Sequence, residues 1–202
     1  MDTAITSRLI DTVAARIIAA VEELTALESA IGDGDHGFNM ERGFKAVLAE
    51  KDAIAAKPLP EALKAIGMKL VSTVGGAAGP LYGTLFMTLG KEMPADPAPA
   101  DVARALHAAV AALMARGKAE FGQKTMLDVL GPVATHLGTD GVTFNSVRAA
   151  AKAASESTIA MMATRGRASF LGERSIGHMD PGSRSSTIII DAICDTLEEA
   201  RT

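Results

Sequence analysis

The chain has 202 residues, a usual size for one domain, and 48% of them are hydrophobic, so a core can form without disulfides. Its single cysteine, Cys194, excludes an internal disulfide framework and favours a reducing compartment. The formal net charge of -4 and the lack of a long basic run argue against a nucleic-acid partner. No apolar stretch approaches the roughly 18 residues of a membrane span. We therefore expect one cytoplasmic domain, residues 1–202, that binds neither nucleic acid nor membranes.

Composition alone predicts the fold class. Alanine is the most abundant residue, whereas aromatic residues make up only 3% of the chain. Alanine has the lowest cost of any residue in a helix, and strands favour the aromatic and β-branched residues. The chain is therefore predicted to be all-α.

Helical patterns alternate with glycine-rich or proline-rich segments along the chain. Apolar residues recur every four positions from Ile5 to Val21, which predicts a first helix that ends near Leu27. The glycine-dense segment 31–37 that follows is predicted to be a loop. The remaining helices, which bring the total to eight, are predicted at residues 40–48, 63–74, 81–91, from 101, 126–137, 147–162 and 181–199.

The last predicted helix has one competing interpretation. Asp180 is a good N-cap and Pro181 suits the first helical position. The run Ile188–Ile190 could instead open a strand. We favour the helix because its apolar stripe continues beyond this run.

Three carboxylates, Glu28, Asp33 and Asp35, fall within eight positions. Asp33 and Asp35 point the same way in extended backbone, and Glu28 can reach them from the preceding helix end. Each pair of charges about 4 Å apart would cost on the order of 4 kcal/mol, so convergence requires a cation or a proton. All-oxygen ligands favour magnesium, manganese or calcium. An EF-hand is excluded because its obligatory glycine would be Phe38; the alternative is a solvated turn in which nothing binds.

A second glycine-rich segment, residues 75–80, lies directly before a predicted helix. Backbone amides at a helix start can bind a phosphate, and small side chains let it approach. The segment lacks the Gly-Lys-Ser/Thr of a Walker A loop. The alternative interpretation is close packing between helices.

A third segment, residues 165–182, is long, irregular and rich in arginine. Loops of this length in compact domains are usually functional or disordered. Arg167 or Arg174 could neutralise charge on a phosphate, although a solvated surface charge is the simpler interpretation of either. Lys124 is expected to be a surface lysine. Together, a hard-cation loop, a phosphate loop and an arginine loop favour phosphoryl transfer.

These segments, taken together, resemble the nucleotide-binding L subunits (DhaL) of the dihydroxyacetone kinase family over nearly the whole chain. The resemblance implies an eight-helix antiparallel barrel with the nucleotide at one end. The residues that carry it lie in the segments Gly32–Met40, Gly75–Thr84, Lys124–Asp128, Gly166–Ser169 and Asp180–Gly182.

The resemblance also implies a set of site residues. Two magnesium ions would be held by Glu28, Asp33 and Asp35, although the family has aspartate where this chain has Glu28. Arg167 would be the catalytic residue. Ala78 stands where relatives often have serine. The residues that would contact the cofactor, ADP or ATP, are His36, Gly37, Phe38, Asn39, Ala77, Ala78, Gly117, Met126, Arg167, Asp180, Pro181 and Gly182.

The partners implied by the resemblance are other kinase subunits. A K subunit holds dihydroxyacetone covalently, and in one branch a phosphotransferase-system M subunit rephosphorylates bound ADP. In the other branch ATP is exchanged, and the ketose can be a relative such as erythrulose. The resemblance leaves open a homodimer. Two further hypotheses are the nucleotide domain of a fatty acid kinase and a non-catalytic module that binds metal or nucleotide.

Overall fold

The computed structural model describes residues 2–201, and within them the regular structure consists of ten α-helices and two 3₁₀ segments, with no strand. The all-α prediction is confirmed. The 3₁₀ segments are Thr158–Ala160 and Arg167–Ser175. The helices are α1 (Thr3–Ala19), α2 (Val21–Ile31), α3 (His36–Ala49), α4 (Lys51–Ala55), α5 (Leu59–Thr73), α6 (Ala78–Glu92), α7 (Pro99–Gly117), α8 (Leu127–Leu137), α9 (Phe144–Ser157) and α10 (Pro181–Glu199).

Eight of the helices in this part of the chain close into a ring. In order around the ring, each packing on the next, they are α1, α3, α5, α6, α7, α8, α9 and α10, and α10 packs on α1. Short connections between successive helices favour antiparallel neighbours. Helix α2 lies against α3 and α10, and α4 lies against α1 and α5. The ring agrees with the predicted eight-helix arrangement.

The interior of the ring is filled mainly by aliphatic side chains and by alanine. These residues come from every helix of the ring, so the contacts form one continuous core. Cys194 is part of this core, and burial raises the pKa of its thiol to about 11. Fully buried members include Ala14, Ile17, Leu24, Met40, Leu70, Ala105, Ala109, Val129, Ala134, Ala151 and Ala192.

The prediction of one continuous helix from Ile5 to Leu27 is wrong. The chain bends at Ala20, where φ is -94° and ψ is 8°, and α2 begins at the next residue. The bend lets α2 approach α3 so closely that a Cβ at Gly37 would lie 2.2 Å from the carbonyl oxygen of Val21. Alanine is not a helix breaker and the apolar periodicity continues across the bend, so the sequence gives no local sign of it.

Other helix boundaries also differ from the predictions. Helix α9 ends at Ser157 instead of Met162, and a 3₁₀ turn follows in which the Thr158 hydroxyl donates to the carbonyl of Ser155 at 2.6 Å. A threonine that bonds to the preceding turn competes with helix continuation. The short helix α4 was not predicted. The run Ile188–Ile190 lies inside α10, so the strand alternative is wrong.

Glycines let α5 and α6 pack closely. A Cβ at Gly67 would lie 2.9 Å from the carbonyl oxygen of Gly83, and a Cβ at Gly83 would lie 2.1 Å from Cγ2 of Val71. A larger residue at either position would force the two helices apart. Across residues 2–201, no helix has both the length and the apolar character that crossing a membrane requires.

Candidate functional site

Four helices of the ring begin around one cavity of about 170 Å³. Residues at the starts of α3, α6, α8 and α10 all line it. Each helix start carries a partial positive charge and backbone amides without a partner within the helix, so four of them together favour an anion. The lining residues at these starts are Asp35, His36, Ala77, Ala78, Thr125, Met126, Asp180 and Pro181.

The three carboxylates of the first loop converge at the edge of this cavity. One ligand oxygen from each of Glu28, Asp33 and Asp35 lies within 4.8 Å of the other two. Gly34 makes this turn possible, because its φ of +74° is unfavourable for other residues. Burial raises the pKa of the Glu28 carboxyl, and repulsion from Asp35 and Asp33 raises it further. A close set of carboxylates that repel one another fits a hard divalent cation.

His36 connects this acidic cluster to the interior. Its backbone N–H donates to Oε2 of Glu28, and its ring Nε2 lies 2.9 Å from the hydroxyl oxygen of Ser185 on α10. Burial lowers the pKa of His36 to about 4, although Asp35 opposes this change. The imidazole is therefore neutral at pH 7 and acts as a hydrogen-bonding group.

Tyr82 extends the same buried network to α6. Its hydroxyl oxygen lies 2.7 Å from the hydroxyl of Ser185 and 3.0 Å from that of Ser186. It also donates to the carbonyl of Gly182 at 3.2 Å. Burial raises the pKa of Tyr82 to about 12, so the phenol stays protonated. The network of His36, Tyr82, Ser185 and Ser186 thus connects α3, α6 and α10 behind the cavity.

The second glycine segment leaves the start of α6 accessible. Among the described residues, no side chain caps this helix start, and Gly76 has a φ of +62°. A Cβ at Gly75 would lie 2.6 Å from Oδ1 of Asn39. Gly79 serves close packing instead, because its Cβ would lie 2.3 Å from the carbonyl oxygen of Val74. Close packing therefore explains Gly79, and the uncapped start of α6 stays a candidate phosphate site.

The arginine-rich segment places Arg167 at the acidic cluster. Nη1 of Arg167 lies 2.9 Å from Oδ2 of Asp33, and 66% of the arginine side chain remains exposed. Arg165 also lines the cavity, and its Nε donates to Oε1 of Gln123 at 3.3 Å. Arg174 is exposed and is not among the residues that line the cavity in the described structure. Of the two arginines that the sequence singled out, the structure therefore places Arg167 at the site and Arg174 away from it.

Asp180 ends that segment and caps α10. Its Oδ2 accepts from the backbone N–H of Ser183 at 2.6 Å. Burial raises the pKa of Asp180 to about 7; the nearby Asp128 carboxylate also raises it, whereas Ser183 and Lys124 act in the opposite direction. This carboxyl is therefore partly protonated near neutral pH.

The expectation that Lys124 is a surface residue is wrong. Only 1% of Lys124 is exposed, and the residue lines the cavity. Its φ of +62° places it in the left-handed region, and its ammonium group donates to the carbonyls of Thr158 and Met161. Partners more than 30 positions away decide this burial, so the local sequence could not indicate it.

Most of the site residues expected from the sequence line the cavity, but four do not. Asp33 lies outside the cavity lining and forms an ion pair with Arg167, which does line the cavity. Gly37 packs against α2, and Phe38 is 56% exposed. Gly117 is exposed, with Leu81 of the cavity lining near it. Further lining residues were not among the expected contacts, although most of them belong to segments that the sequence had singled out: Ile31, Gly75, Gly76, Leu81, Tyr82, Lys124, Thr125 and Arg165.

Comparisons with known proteins agree on one family. The family model described as the DAK2 domain matches residues 30–195. The chain is 42% identical over 177 residues to the ADP-binding subunit DhaL of PEP-dependent dihydroxyacetone kinase 1 from Listeria innocua serovar 6a, with 86% of each chain covered. It is 41% identical over 187 residues to the ADP-binding subunit DhaL of the PEP-dependent dihydroxyacetone kinase from Escherichia coli K12, covering 88% of this chain and 89% of that subunit.

The fold is also similar to that of a solved structure. The dihydroxyacetone kinase from C. freundii, in complex with AMP-PNP and Mg²⁺, matches 95% of this chain with a TM-score of 0.78 and 24% identity. The chain spans 34% of the length of that kinase. At this identity, the likeness shows the shared fold.

Proposed function

Because the chain belongs to the DAK2 domain family, we propose that it is the nucleotide-binding subunit of a dihydroxyacetone kinase. The phosphotransferase-system M subunit converts bound ADP to ATP. The γ-phosphoryl group of that ATP then passes to a hydroxyl of dihydroxyacetone, which a separate K subunit holds covalently, and ADP remains bound. The chain, residues 1–202, acts as one nucleotide-binding domain in the cytoplasm.

One observation carries this proposal: three carboxylates converge beside a cavity at which four helices begin. The carboxylates supply negative charge for cations, and the helix starts supply amides for phosphate oxygens. Either feature alone would have several explanations. Their adjacency fits a nucleotide whose phosphates bind helix starts on one side and cations on the other.

The residues of the site take distinct parts in this function. Glu28, Asp33 and Asp35 would hold two magnesium ions, which neutralise charge on the phosphate oxygens when bound. The backbone at Ala77 and Ala78 faces the phosphates. Arg167 neutralises the charge that develops on the transferred group, because a guanidinium can bind phosphate oxygens in a bidentate manner.

The remaining contacts surround the nucleotide. His36 and Asn39 lie at the start of α3, and Met126 lies at the start of α8, all on the cavity wall. Asp180, Pro181 and Gly182 form the start of α10 on its other side. Gly37, Phe38 and Gly117, which do not line the cavity, complete the proposed set of contacts.

The names of the relatives support the branch in which ADP is the resident cofactor. Both subunits described above are ADP-binding subunits of PEP-dependent kinases. Phosphoenolpyruvate-dependent phosphorylation requires a partner that delivers the phosphoryl group, which is the part we assign to the M subunit. Exchange of free ATP is the alternative that the experiments below distinguish.

The first test is nucleotide binding by calorimetry. We expect ADP to bind in the presence of Mg²⁺ and to lose most of its affinity in EDTA. A protein purified without denaturation should carry adenine, which is easy to detect because the chain has no tryptophan and one tyrosine. A 260/280 nm absorbance ratio that falls after denaturation and filtration supports resident ADP. Absence of binding heat with both ADP and Mg²⁺ contradicts the proposal.

The second test is transfer in a reconstituted system. The chain, in which a phosphorylated M subunit has first converted the bound ADP to ATP, is mixed with a K subunit loaded with dihydroxyacetone, and a single turnover of transfer is followed. Phosphorylated dihydroxyacetone should form only when both subunits are present. A module that binds nucleotide without catalysis would give binding heat but no product.

A further inference from the structure

Lys124 is a buried cation whose partners lie in a different part of the chain. Its Nζ donates to the carbonyl oxygen of Thr158 at 2.7 Å and to that of Met161 at 3.0 Å. Burial lowers the pKa of Lys124, and the nearby Asp180 raises it. Lysine is almost never fully buried unless it is paired, because removing its charge from water is costly. Its two carbonyl contacts offset part of this cost and fix the position of the ammonium group.

Both partners of Lys124 lie just before the arginine-rich segment, at the point where the end of that segment returns. Thr158 begins the connection between α9 and α10, and its hydroxyl oxygen accepts from the backbone N–H of Asp180 at 3.1 Å. Beside this contact, the N–H of Gly177 donates to the carbonyl of Ile159 at 2.8 Å. The segment 158–180 is therefore a loop whose two ends are joined at Thr158. Lys124 fixes that junction to the connection between α7 and α8.

The loop closed in this way carries Arg167 to the acidic cluster. The Arg167 side chain is 66% exposed, and it forms an ion pair with Asp33. A long exposed side chain is poorly positioned by its own contacts, so its placement depends on the backbone that carries it. The fixed base of the loop, together with the packing of the segment Arg167–Ser175 on α2, limits the positions that Arg167 can reach.

We propose that Lys124 is a positioning residue that holds the base of the 158–180 loop and thereby places Arg167 for phosphoryl transfer. This inference rests on the proposed function, in which Arg167 is the catalytic residue. Lys124 acts through the loop backbone, by its two carbonyl contacts at Thr158 and Met161.

The test combines Lys124→Met with Arg167→Gln in the full chain, assayed with a K subunit in single-turnover transfer. We expect each single variant to slow transfer by about 100-fold, the loss that a misplacement of about 1 Å can cause. If Lys124 acts through Arg167, the double variant is about as slow as Arg167→Gln alone. If the fold-loss of transfer in the double variant equals the product of the fold-losses in the two single variants, the proposal is overturned.

A second readout separates positioning from general destabilisation. Hydrogen exchange in Lys124→Met should increase within the 158–180 loop and remain unchanged in α5 and α6. The affinity for ADP with Mg²⁺ should change by less than about tenfold, a smaller effect than that on transfer. The opposite result is hydrogen exchange that increases throughout the ring, with ADP affinity reduced by the same factor as transfer. That result would show a merely structural role for Lys124 and overturn the proposal.

Two further variants complete the experiment. Lys118 is a matched control because it lies in the same connection, also has a positive φ (48°) and is exposed, so Lys118→Met should leave transfer unchanged. Thr158→Val removes the hydroxyl that joins the two ends of the loop and retains the shape of the side chain. If Lys124→Met does not fold, Thr158→Val replaces it in the double-variant cycle with the same two outcomes. If Arg167→Gln alone has no effect on transfer, the role assigned to Arg167 in the proposed function fails. Additive effects of the two variants would instead overturn only the role assigned to Lys124.

Discussion

Arg167 and Asp33 form an ion pair in which Nη1 lies 2.9 Å from Oδ2. The same carboxylate is one of the three proposed metal ligands, so the arginine and the metal compete for Asp33. The phosphate of a bound nucleotide offers the arginine another partner. Binding of metal and nucleotide together can therefore move Arg167 from the carboxylate to the phosphate.

This competition predicts that Arg167→Gln binds metal more tightly when no nucleotide is present. The expected gain is at most about fivefold, because exposed ion pairs contribute at most about 1 kcal/mol. Mn²⁺ binding followed by electron paramagnetic resonance measures it. Arg165→Gln is the matched control, since it removes the same charge from the same loop but leaves the pair with Asp33 intact. Equal gains in the two variants would show a general charge effect and would contradict direct competition.

Replacement of Glu28 should have opposite effects on the free and the loaded protein. Burial and the neighbouring carboxylates disfavour the charged form of Glu28, so Glu28→Gln should raise the melting temperature in EDTA. An amide oxygen can still accept the hydrogen bond from the N–H of His36. The same change removes the charge of a metal ligand. With Glu28 present, Mg²⁺ and ADP at 100 times the Kd should stabilise the protein by about 2.7 kcal/mol. In Glu28→Gln this stabilisation should largely disappear. A loss of stability in both conditions would contradict this account.

Asp180 should make stability depend on pH. Its pKa is raised from 3.8 to about 7 in the folded protein, so the folded state binds a proton that the unfolded state releases between these values. Stability contributed by this group is therefore lost as the pH rises from about 4 to about 7. Asp180→Asn retains an oxygen that can cap α10 but does not titrate, so this loss should be absent from the variant. Urea unfolding of both proteins at pH 5 and pH 8 measures the difference, and parallel losses in the two proteins would refute the assignment.

Tyr82→Phe tests the buried network behind the cavity. The change removes the hydroxyl that contacts Ser185, Ser186 and the carbonyl of Gly182. We expect a loss of about 1–2 kcal/mol in the free energy of unfolding, because buried polar groups lose a partner. The affinity for ADP should also fall, since the network fixes the starts of α6 and α10 relative to each other. Unchanged affinity together with lowered stability would limit the network to a structural role.

The sequence was informative wherever the cause was local. The spacing of Asp33 and Asp35 predicted carboxylates that meet, and the structure brings them together with Glu28. Alanine content predicted the helical class, and Asp180 followed by Pro181 predicted the start of α10. The two site predictions rest on a few neighbouring residues, and the fold class rests on the composition of the chain.

Features that depend on distant contacts were not predictable. The bend at Ala20, which lets α2 approach α3 at Gly37, has no sign in Ala20 or its neighbours. The ammonium group of the buried Lys124 contacts carbonyls that directly follow the end of α9, more than 30 positions away in the sequence. A single sequence contains no signal that connects these partners.

The closed base of the 158–180 loop has a consequence for how this protein can vary. Because the two ends meet at Thr158, the tip can be lengthened or shortened without changing the distance that α9 and α10 must span. Insertions there cost little, since the entropy of closing a loop grows slowly with its length. The part of the loop beyond Arg167, including the 87% exposed Phe170, can therefore diverge while the helical ring stays the same.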